Sequence, residues 1–384
     1  MAIRIDCIVG ARPNFVKIAP ILRALAARPL FAARLIHTGQ HHDAEMSRHF
    51  FEDLAIPDPD RFLGVGAGTH ARQTARIMEA FEPVLLDDPP RLVLVVGDVN
   101  STLACALVAA KLGIPVAHVE AGLRSFDRSM PEELNRLLTD QLADLLLITC
   151  RDAGENLRRE GIAPEKIHFV GNVMIDTLQA SLPLARGRAP LSRLGLAPRT
   201  YAVATIHRPS NVDGAAELAR TAEILEGIAG RLPLLLPLHP RTEKRAAELG
   251  LAGRLHSIPG LILTAPLRYL EFLDLLRQAR LVVTDSGGIQ EETAVLGVPC
   301  LTLRPNTERP ITILAGTNRL VGVEPRAVAA AAAETLAAPM PAAAVIEGWD
   351  GRAAERIAQV VAAFLAGGEH ERAPRDASAS PVSS

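Results

Sequence analysis

The chain has 384 residues, 48% of them hydrophobic and 22% charged, with a formal net charge of −2. That composition provides for a large buried core, excludes wholesale disorder, and gives no general electrostatic grip on nucleic acid or anionic membrane. The four cysteines, Cys7, Cys105, Cys150 and Cys300, form no C-x-x-C pair and sit among apolar neighbours, so they read as core residues of a reducing compartment, not as a disulfide frame or zinc site.

Residues 1–10 read as a strand interrupted by Arg4 and Asp6, without the apolar core of a signal peptide. No uncharged apolar run approaches the roughly 20 residues of a membrane span, and a soluble cytoplasmic protein is expected. Short apolar runs at 4–9, 33–37, 92–96, 116–119, 145–148 and 167–170 alternate with helical patterns at 16–27, 70–85, 102–112, 132–142 and 153–160. This is the βαβ rhythm of a parallel sheet covered on both faces. The rhythm pauses over 181–199, where three prolines occur, and restarts with runs at 201–205, 234–238, 261–264, 281–284 and 300–303. We expect an α/β protein of two similar halves, 1–172 and 173–351, crossing near Gly171-Asn172. An amphipathic helix at about 352–366 is expected to return to the first half, and the tail 367–384 to be disordered.

In open α/β sheets, ligands bind beyond the carboxyl ends of the strands, so the strand–loop junctions carry the functional reading. After the first strand, Gly10 to Lys17 places Arg12 and Lys17 beside a helix start, without the second glycine of a Walker A loop. Gly64-Val-Gly-Ala-Gly68 lacks the G-x-G-x-x-G spacing, and no strand is read just before it, so no dinucleotide cofactor is expected. Asp98 and Glu120 end two successive strands, and Pro131-Glu132-Glu133 opens the next helix, with Asn135 and Arg136 following. A carboxylate directly after an apolar strand, as at Glu120, needs a partner or a task. His207-Arg208 and His239-Pro240-Arg241 end the first two strands of the second half. Asp285-Ser286-Gly287-Gly288 follows a strand and opens a helix, where free N–H groups and close backbone approach favour a phosphate. Glu292 falls about one turn into that helix, within reach of ribose hydroxyls, and Arg309 can serve as a fork for a diphosphate. The spacing of His37, His41 and His42 fits no usual zinc pattern, and no metal is expected.

Taken in order, these junctions resemble the non-hydrolysing UDP-N-acetylglucosamine 2-epimerase family. The matching strings are GARPNFVKIAP (10–20), TGQH (38–41), GD (97–98), HVEAGLR (118–124), PEELNR (131–136), GN (171–172), HR (207–208), TDSGGIQEE (284–292) and TERP (307–310). The resemblance implies two Rossmann-like domains in a GT-B arrangement, with the active site in the interdomain cleft and the second half binding UDP. It implies reversible interconversion of UDP-GlcNAc and UDP-ManNAc for cell-surface polysaccharide precursors, by elimination and re-addition of UDP, with no cofactor. Asp98, Glu120, Glu132 and His207 match the catalytic positions, and which carboxylate is the base stays open. Arg12, Lys17, Arg136, Ser286, Gly287, Gly288, Glu292 and Arg309 match the substrate-binding set. Some bacterial members bind a second UDP-GlcNAc as activator, and Gln40, His41, Gln73 and His239 match positions linked to that site. A homodimer is implied.

Two departures bear on the sugar and on the activator site. The loop 125–130 is shorter by two residues than in several members, and Pro209-Ser210-Asn211 stands where they carry a glutamate shortly after the His-Arg pair. The alternatives are an epimerase of a modified UDP-sugar, a GT-B glycosyltransferase, and a nucleotide-sugar sensor.

Overall fold

The computed structural model describes residues 2–40 and 44–367, and for 44–47 the backbone alone. His41 and the expected tail from 368 onward lie outside the described residues. The chain divides into two compact units, one running to Thr177 and resuming at Gly348, the other Leu178–Glu347.

In the first unit, β1 (Ile3–Val9), β2 (Phe31–His37), β3 (Arg61–Phe62), β4 (Leu92–Val96), β5 (Val116–Ala121), β6 (Leu145–Ile148) and β7 (Ile167–Phe169) form a parallel sheet in the order β3-β2-β1-β4-β5-β6-β7. In the second, β8 (Ala202–Thr205), β9 (Leu234–Pro237), β10 (Leu261–Thr264), β11 (Leu281–Thr284), β12 (Cys300–Thr302) and β13 (Asn318–Leu320) give the order β10-β9-β8-β11-β12-β13, again parallel throughout. Both are Rossmann-like. The short edge strands β3 and β13 were not legible as apolar runs, and β3 ends just ahead of Gly64, where no strand was read.

The strand sequences explain the layering. β4 is Leu-Val-Leu-Val-Val and wholly buried, which requires cover on both faces. In the second unit, alternate residues enter different cores. Ala202, Ala204, Leu281 and Val283 pack with Leu225 and Val328 on one face, whereas Tyr201, Val203 and Val282 pack with Leu275 and Leu276 on the other. Each fully buried Leu or Val contributes about 1.5–3 kcal/mol, and this period-two division fixes the register.

The crossing into the second unit falls at 177/178 and the return at 347/348, not at 172/173 and 351/352. The first turn of the helix Val173–Ala185 remains tied to the first unit. Thr177 Oγ1 donates to the Val16 carbonyl at 2.6 Å, and the Asp176 carboxylate accepts from Ala353 N–H at 3.1 Å and Ala354 N–H at 2.7 Å. Asp176 thereby caps the returning helix Ala353–Ala366, which packs on the helix Arg12–Ala26 and ends at Gly367. Trp349 Nε1 donates to the Thr149 carbonyl at 3.1 Å, so the chain rejoins the first unit before that helix starts.

In each sheet the strand order reverses once, between β1 and β4 and between β8 and β11. At those switch points the following loops diverge and leave a crevice at the carboxyl ends. The candidate catalytic and substrate-binding residues lie on the segments after these four strands and after β5 and β12, whereas Gln40, Gln73 and His239 follow β2, β3 and β9.

Candidate active site

At the first switch point, the Asn14 side chain fastens the loop after β1. Its Oδ1 accepts from Gly10 N–H and Ala11 N–H, both at 3.0 Å, and its Nδ2 donates to the Val96 carbonyl of β4 at 2.9 Å. This sets the start of the helix Arg12–Ala26, where Arg12 is half-buried and Lys17 buried. Lys17 Nζ forms an ion pair with Glu120, and both side chains are about 95% enclosed, at 6% and 5% relative exposure.

Glu120 has a φ of +72°, in the left-handed region that a non-glycine residue rarely occupies. The pairing of β5 with β6 shifts register between Val119 and Ala121, so Glu120 is the bulged residue. In a regular strand it would share a face with His118; the bulge re-aims its carboxylate to meet Lys17. Such a conformation costs about 1–3 kcal/mol and persists only where its surroundings impose it. Gly97, after β4, has a φ of +68°, which favours glycine, and a Cβ there would lie 2.8 Å from Lys17 Nζ and press on the pair.

Asp98 pairs with Arg136 of the helix Pro131–Leu142, and Asn135 Nδ2 donates to the Asp98 carbonyl at 2.9 Å. Arg136 is buried and also meets Glu133 at 2.7 Å. Glu133 in turn accepts from Ser125 N–H and Phe126 N–H, each at 2.9 Å. Burial pushes the Glu133 carboxyl up, but the Ser125 amide and Arg136 outweigh it and leave its pKa lowered. Glu133 therefore anchors the short 125–130 loop. Glu132 is half-buried at the same helix start, and its side chain has no hydrogen bond or ion pair among the described residues. Lys17, Asp98, Glu120 and Arg136 are thus brought together at the ends of β4 and β5.

Gln40 and Gln73 belong to a neighbouring polar cluster. Gln40 Oε1 accepts from Ser101 Oγ at 2.7 Å, Gln73 Nε2 donates to the Gln40 carbonyl at 3.2 Å, and Asn100 Nδ2 donates to Gln73 Oε1 at 2.9 Å. His239 is in the other unit, where it caps the helix Pro240–Glu248 and its ring lies 5.2 Å from that of His207.

At the second switch point, Asp285 organises the end of β8. It is fully buried and accepts from His207 N–H at 3.0 Å, Arg208 N–H at 2.8 Å and Asn211 Nδ2 at 3.0 Å, with His207 Nδ1 at 3.0 Å. Burial pushes its pKa up, yet His207 and these donors bring it to about 2. An ionised Asp285 fixes the Nδ1–H form of His207 and leaves Nε2 on the 39% exposed ring to exchange a proton. Asn211, one of the residues that departs from the family pattern, is thus part of the support for His207.

Ser286 precedes the helix Gly287–Leu296, and Arg309 lies directly on its first turn. A Cβ on Gly287 would sit 2.5 Å from Arg309 Nη1 and 2.8 Å from Glu308 Oε1. Arg309 is oriented by Glu291 at 2.9 Å and Glu308 at 2.6 Å. Gly288 continues the turn. Backbone N–H groups, the Ser286 hydroxyl and a guanidinium at a helix N-terminus form an arrangement suited to a diphosphate.

One turn on, Glu292 is buried, with Tyr269 Oη donating to it at 3.2 Å. Burial pushes its pKa up to about 7; the Tyr269 bond opposes this and the Glu291 charge adds to it. Because the folded value lies above the ordinary 4.5 of a glutamate, the associated stability is present below about pH 4.5 and lost as pH rises through about 7. An ionised carboxylate can only accept hydrogen bonds, whereas the protonated acid also donates. A ligand that donates hydroxyls to Glu292 should therefore bind more weakly at pH 6 than at pH 8, and Glu292→Gln should flatten the difference. Equal pH dependence by calorimetry in the two proteins would contradict this.

Among the described residues no group of three or more His, Cys, Asp or Glu could hold a metal ion, and no helix is long and apolar enough to cross a membrane. Sequence reasoning missed Asn14, His118, Asp140, Asp285 and Asn211 as individual residues. For His118 and Asp285 the available signal was a polar side chain inside or directly after an apolar strand, which must find a partner; Asn14, Asp140 and Asn211 lie on helices and carried no such signal.

The chain matches the family model described as UDP-N-acetylglucosamine 2-epimerase over residues 23–362. It is 42% identical over 328 residues to a UDP-N-acetylglucosamine 2-epimerase of Methanococcus maripaludis, covering 84% of this chain and 88% of that one. It is 41% identical over 363 residues to the UDP-2,3-diacetamido-2,3-dideoxy-D-glucuronate 2-epimerase of Pseudomonas aeruginosa, covering 94% and 99% respectively. The crystal structure of the Methanocaldococcus jannaschii UDP-GlcNAc 2-epimerase in complex with UDP-GlcNAc and UDP superposes with a TM-score of 0.89 at 40% identity, covering 94% of this chain and 100% of that one.

Proposed function

Because the chain belongs to the UDP-N-acetylglucosamine 2-epimerase family, we propose that it interconverts UDP-GlcNAc and UDP-ManNAc without net hydrolysis. The observation that carries this reading is the placement of Asp98 and Glu120 on adjacent strand ends, each held by a buried cation. Nucleotide binding or sugar transfer alone does not call for two such carboxylates.

The C2 proton is not next to a carbonyl, so direct deprotonation is unfavourable. Elimination avoids the difficulty. A carboxylate takes the C2 proton, the C1–O bond breaks, and UDP leaves with the electron pair. Re-addition forms the C1–O bond again while the proton returns to the opposite face of C2. Asp98, Glu120, Glu132 and His207 are the proton-transfer candidates. Arg12, Lys17 and Arg136 stabilise developing charge, and Ser286, Gly287, Gly288, Glu292 and Arg309 hold the nucleotide and its diphosphate. Acids near a diphosphate repel it unless cations compensate, which accounts for the Lys17–Glu120 and Arg136–Asp98 pairs.

A homodimer, a cytoplasmic location, a role in polysaccharide precursor supply, and an activator function for Gln40, His41, Gln73 and His239 belong to the same proposal. A second reading, epimerisation of a diacetamido uronate, is favoured by the greater coverage of the Pseudomonas aeruginosa relative at similar identity.

Incubation with UDP-GlcNAc in D2O, followed by NMR, should show deuterium entering C2 and UDP-ManNAc forming without added metal or NAD. No exchange with UDP-GlcNAc, but exchange with the diacetamido uronate, would establish the second reading. Binding of UDP without exchange of either sugar would point to a sensor.

A further inference from the structure

One buried side chain behind the acids has no place in the chemistry above. His118 is fully enclosed within β5. Its Nε2 lies 2.8 Å from the Gly97 carbonyl oxygen, and its Nδ1 lies 2.6 Å from Asp140 Oδ1. A carbonyl oxygen can only accept, so Nε2 carries a proton. The other oxygen of Asp140 accepts from Gly122 N–H at 3.1 Å and meets Arg124 Nη2 at 2.7 Å, the environment of a carboxylate. Burial pushes the Asp140 carboxyl up, but the charges and hydrogen bonds of His118 and Arg124 leave its pKa lowered. Nδ1 therefore donates too, and an imidazole that donates from both nitrogens is an imidazolium.

We propose that His118 is a buried imidazolium acting as a positioning residue for Asp98: its Nε2–H clamps the Gly97 carbonyl, which aims the carboxylate one residue on, and its charge favours the ionised acids at this sheet edge. The role at Asp98 rests on the epimerase reading; the charge assignment does not.

The surrounding groups make the charge necessary. On the Nδ1 side stand Asp140 and Arg124, with Glu160 paired to Arg124. On the Gly97 side stand the Lys17–Glu120 pair and Arg136 with its partners Asp98 and Glu133. Without the imidazolium, the three cations among these would face five carboxylates. Removing it should raise the proton affinity of Asp98, because a nearby positive charge favours the ionised carboxyl.

Nitrogen-15 NMR of the histidine-labelled, unliganded full-length protein at pH 7.5 should show one histidine protonated on both ring nitrogens, and its signal should vanish in His118→Gln. Carboxyl carbon-13 titration should place the Asp98 midpoint roughly half a pH unit or more higher in that variant. Its kcat should fall about ten-fold, with KM within about two-fold of wild type, as expected for a change felt mainly after substrate binds. A bare ring nitrogen on His118 in the wild-type protein would overturn the charge assignment, and an unmoved Asp98 midpoint or unchanged kcat would overturn the positioning role. Neither NMR reading needs substrate, so a wild-type protein that turns over no UDP-sugar would overturn the epimerase reading while these readings still decide this one. If His118→Gln fails to fold, Asp140→Asn provides the second variant: it should release the Nδ1 proton of His118, and a spectrum identical to wild type would count against the dyad.

Discussion

Asp98→Asn and Glu120→Gln should each lower epimerase turnover by about 100- to 10,000-fold, the usual contribution of a general acid or base. Both variants keep the size of the side chain and a hydrogen-bonding oxygen, so the Asp98–Arg136 and Glu120–Lys17 hydrogen bonds can survive, now from a cation to a neutral amide. Proton transfer at C2 cannot. Circular dichroism and thermal unfolding should remain close to wild type for Asp98→Asn, whose side chain is 23% exposed. The leaving-group dependence of deuterium exchange separates the two acids. A residue that removes the C2 proton should lose exchange and epimerisation together. One that assists UDP departure should also slow both, but should depend more strongly on the leaving group. A near-normal rate in either variant would remove that carboxylate from the mechanism.

Lys17→Met should be more damaging than Asp98→Asn, because it removes activity and stability at once. Lys17 and Glu120 are both buried, and withdrawing one member of a buried ion pair strands the other charge at a cost of about 3–5 kcal/mol. The Glu120 backbone adds to the effect, since its left-handed φ is maintained by the groups around the carboxylate. The double variant Lys17→Met/Glu120→Gln removes the stranded charge and should recover much of the lost stability while staying inactive. Urea midpoints of the four proteins test this directly. A single Lys17→Met as stable as wild type would mean that water reaches Glu120 and the pair is not enclosed.

The alternation of strands and helices was legible because strands covered on both faces must be continuously apolar, as in Leu92–Val96. The two-residue β3 and the polar-edged β13 lie at sheet edges, where that requirement lapses. Most candidate residues were legible for a related reason: they are polar groups placed just where an apolar run stops. The partnerships were not. Asp285 reaches His207 across 78 positions, and Asn14 reaches Val96 across 82, separations at which no local pattern reports contact. The bulge at Glu120 was also hidden, because a one-residue slip between β5 and β6 leaves no mark in the composition of either strand. His118 fell inside a recognised string yet carried no assigned role, since its partners Asp140 and Gly97 become adjacent only when the sheet assembles.

The first unit is discontinuous, and this imposes an order on its making. When the ribosome has delivered the chain as far as Thr177, the seven strands are present but the helix Ala353–Ala366 is not. The apolar side of the helix Arg12–Ala26 must wait for it, and so must the Asp176 carboxylate, whose partner amide is 177 residues downstream. Holding that place open costs little in entropy, because closure grows only with the logarithm of loop length, and less still once the intervening unit has folded. The exposure is a matter of time. At about 5–20 residues per second, the nascent first unit spends on the order of ten seconds or more with a bare apolar stripe. The closing helix therefore arrives only after the whole second unit, and a chain that stopped before it would leave the helix Arg12–Ala26 uncovered and prone to aggregate.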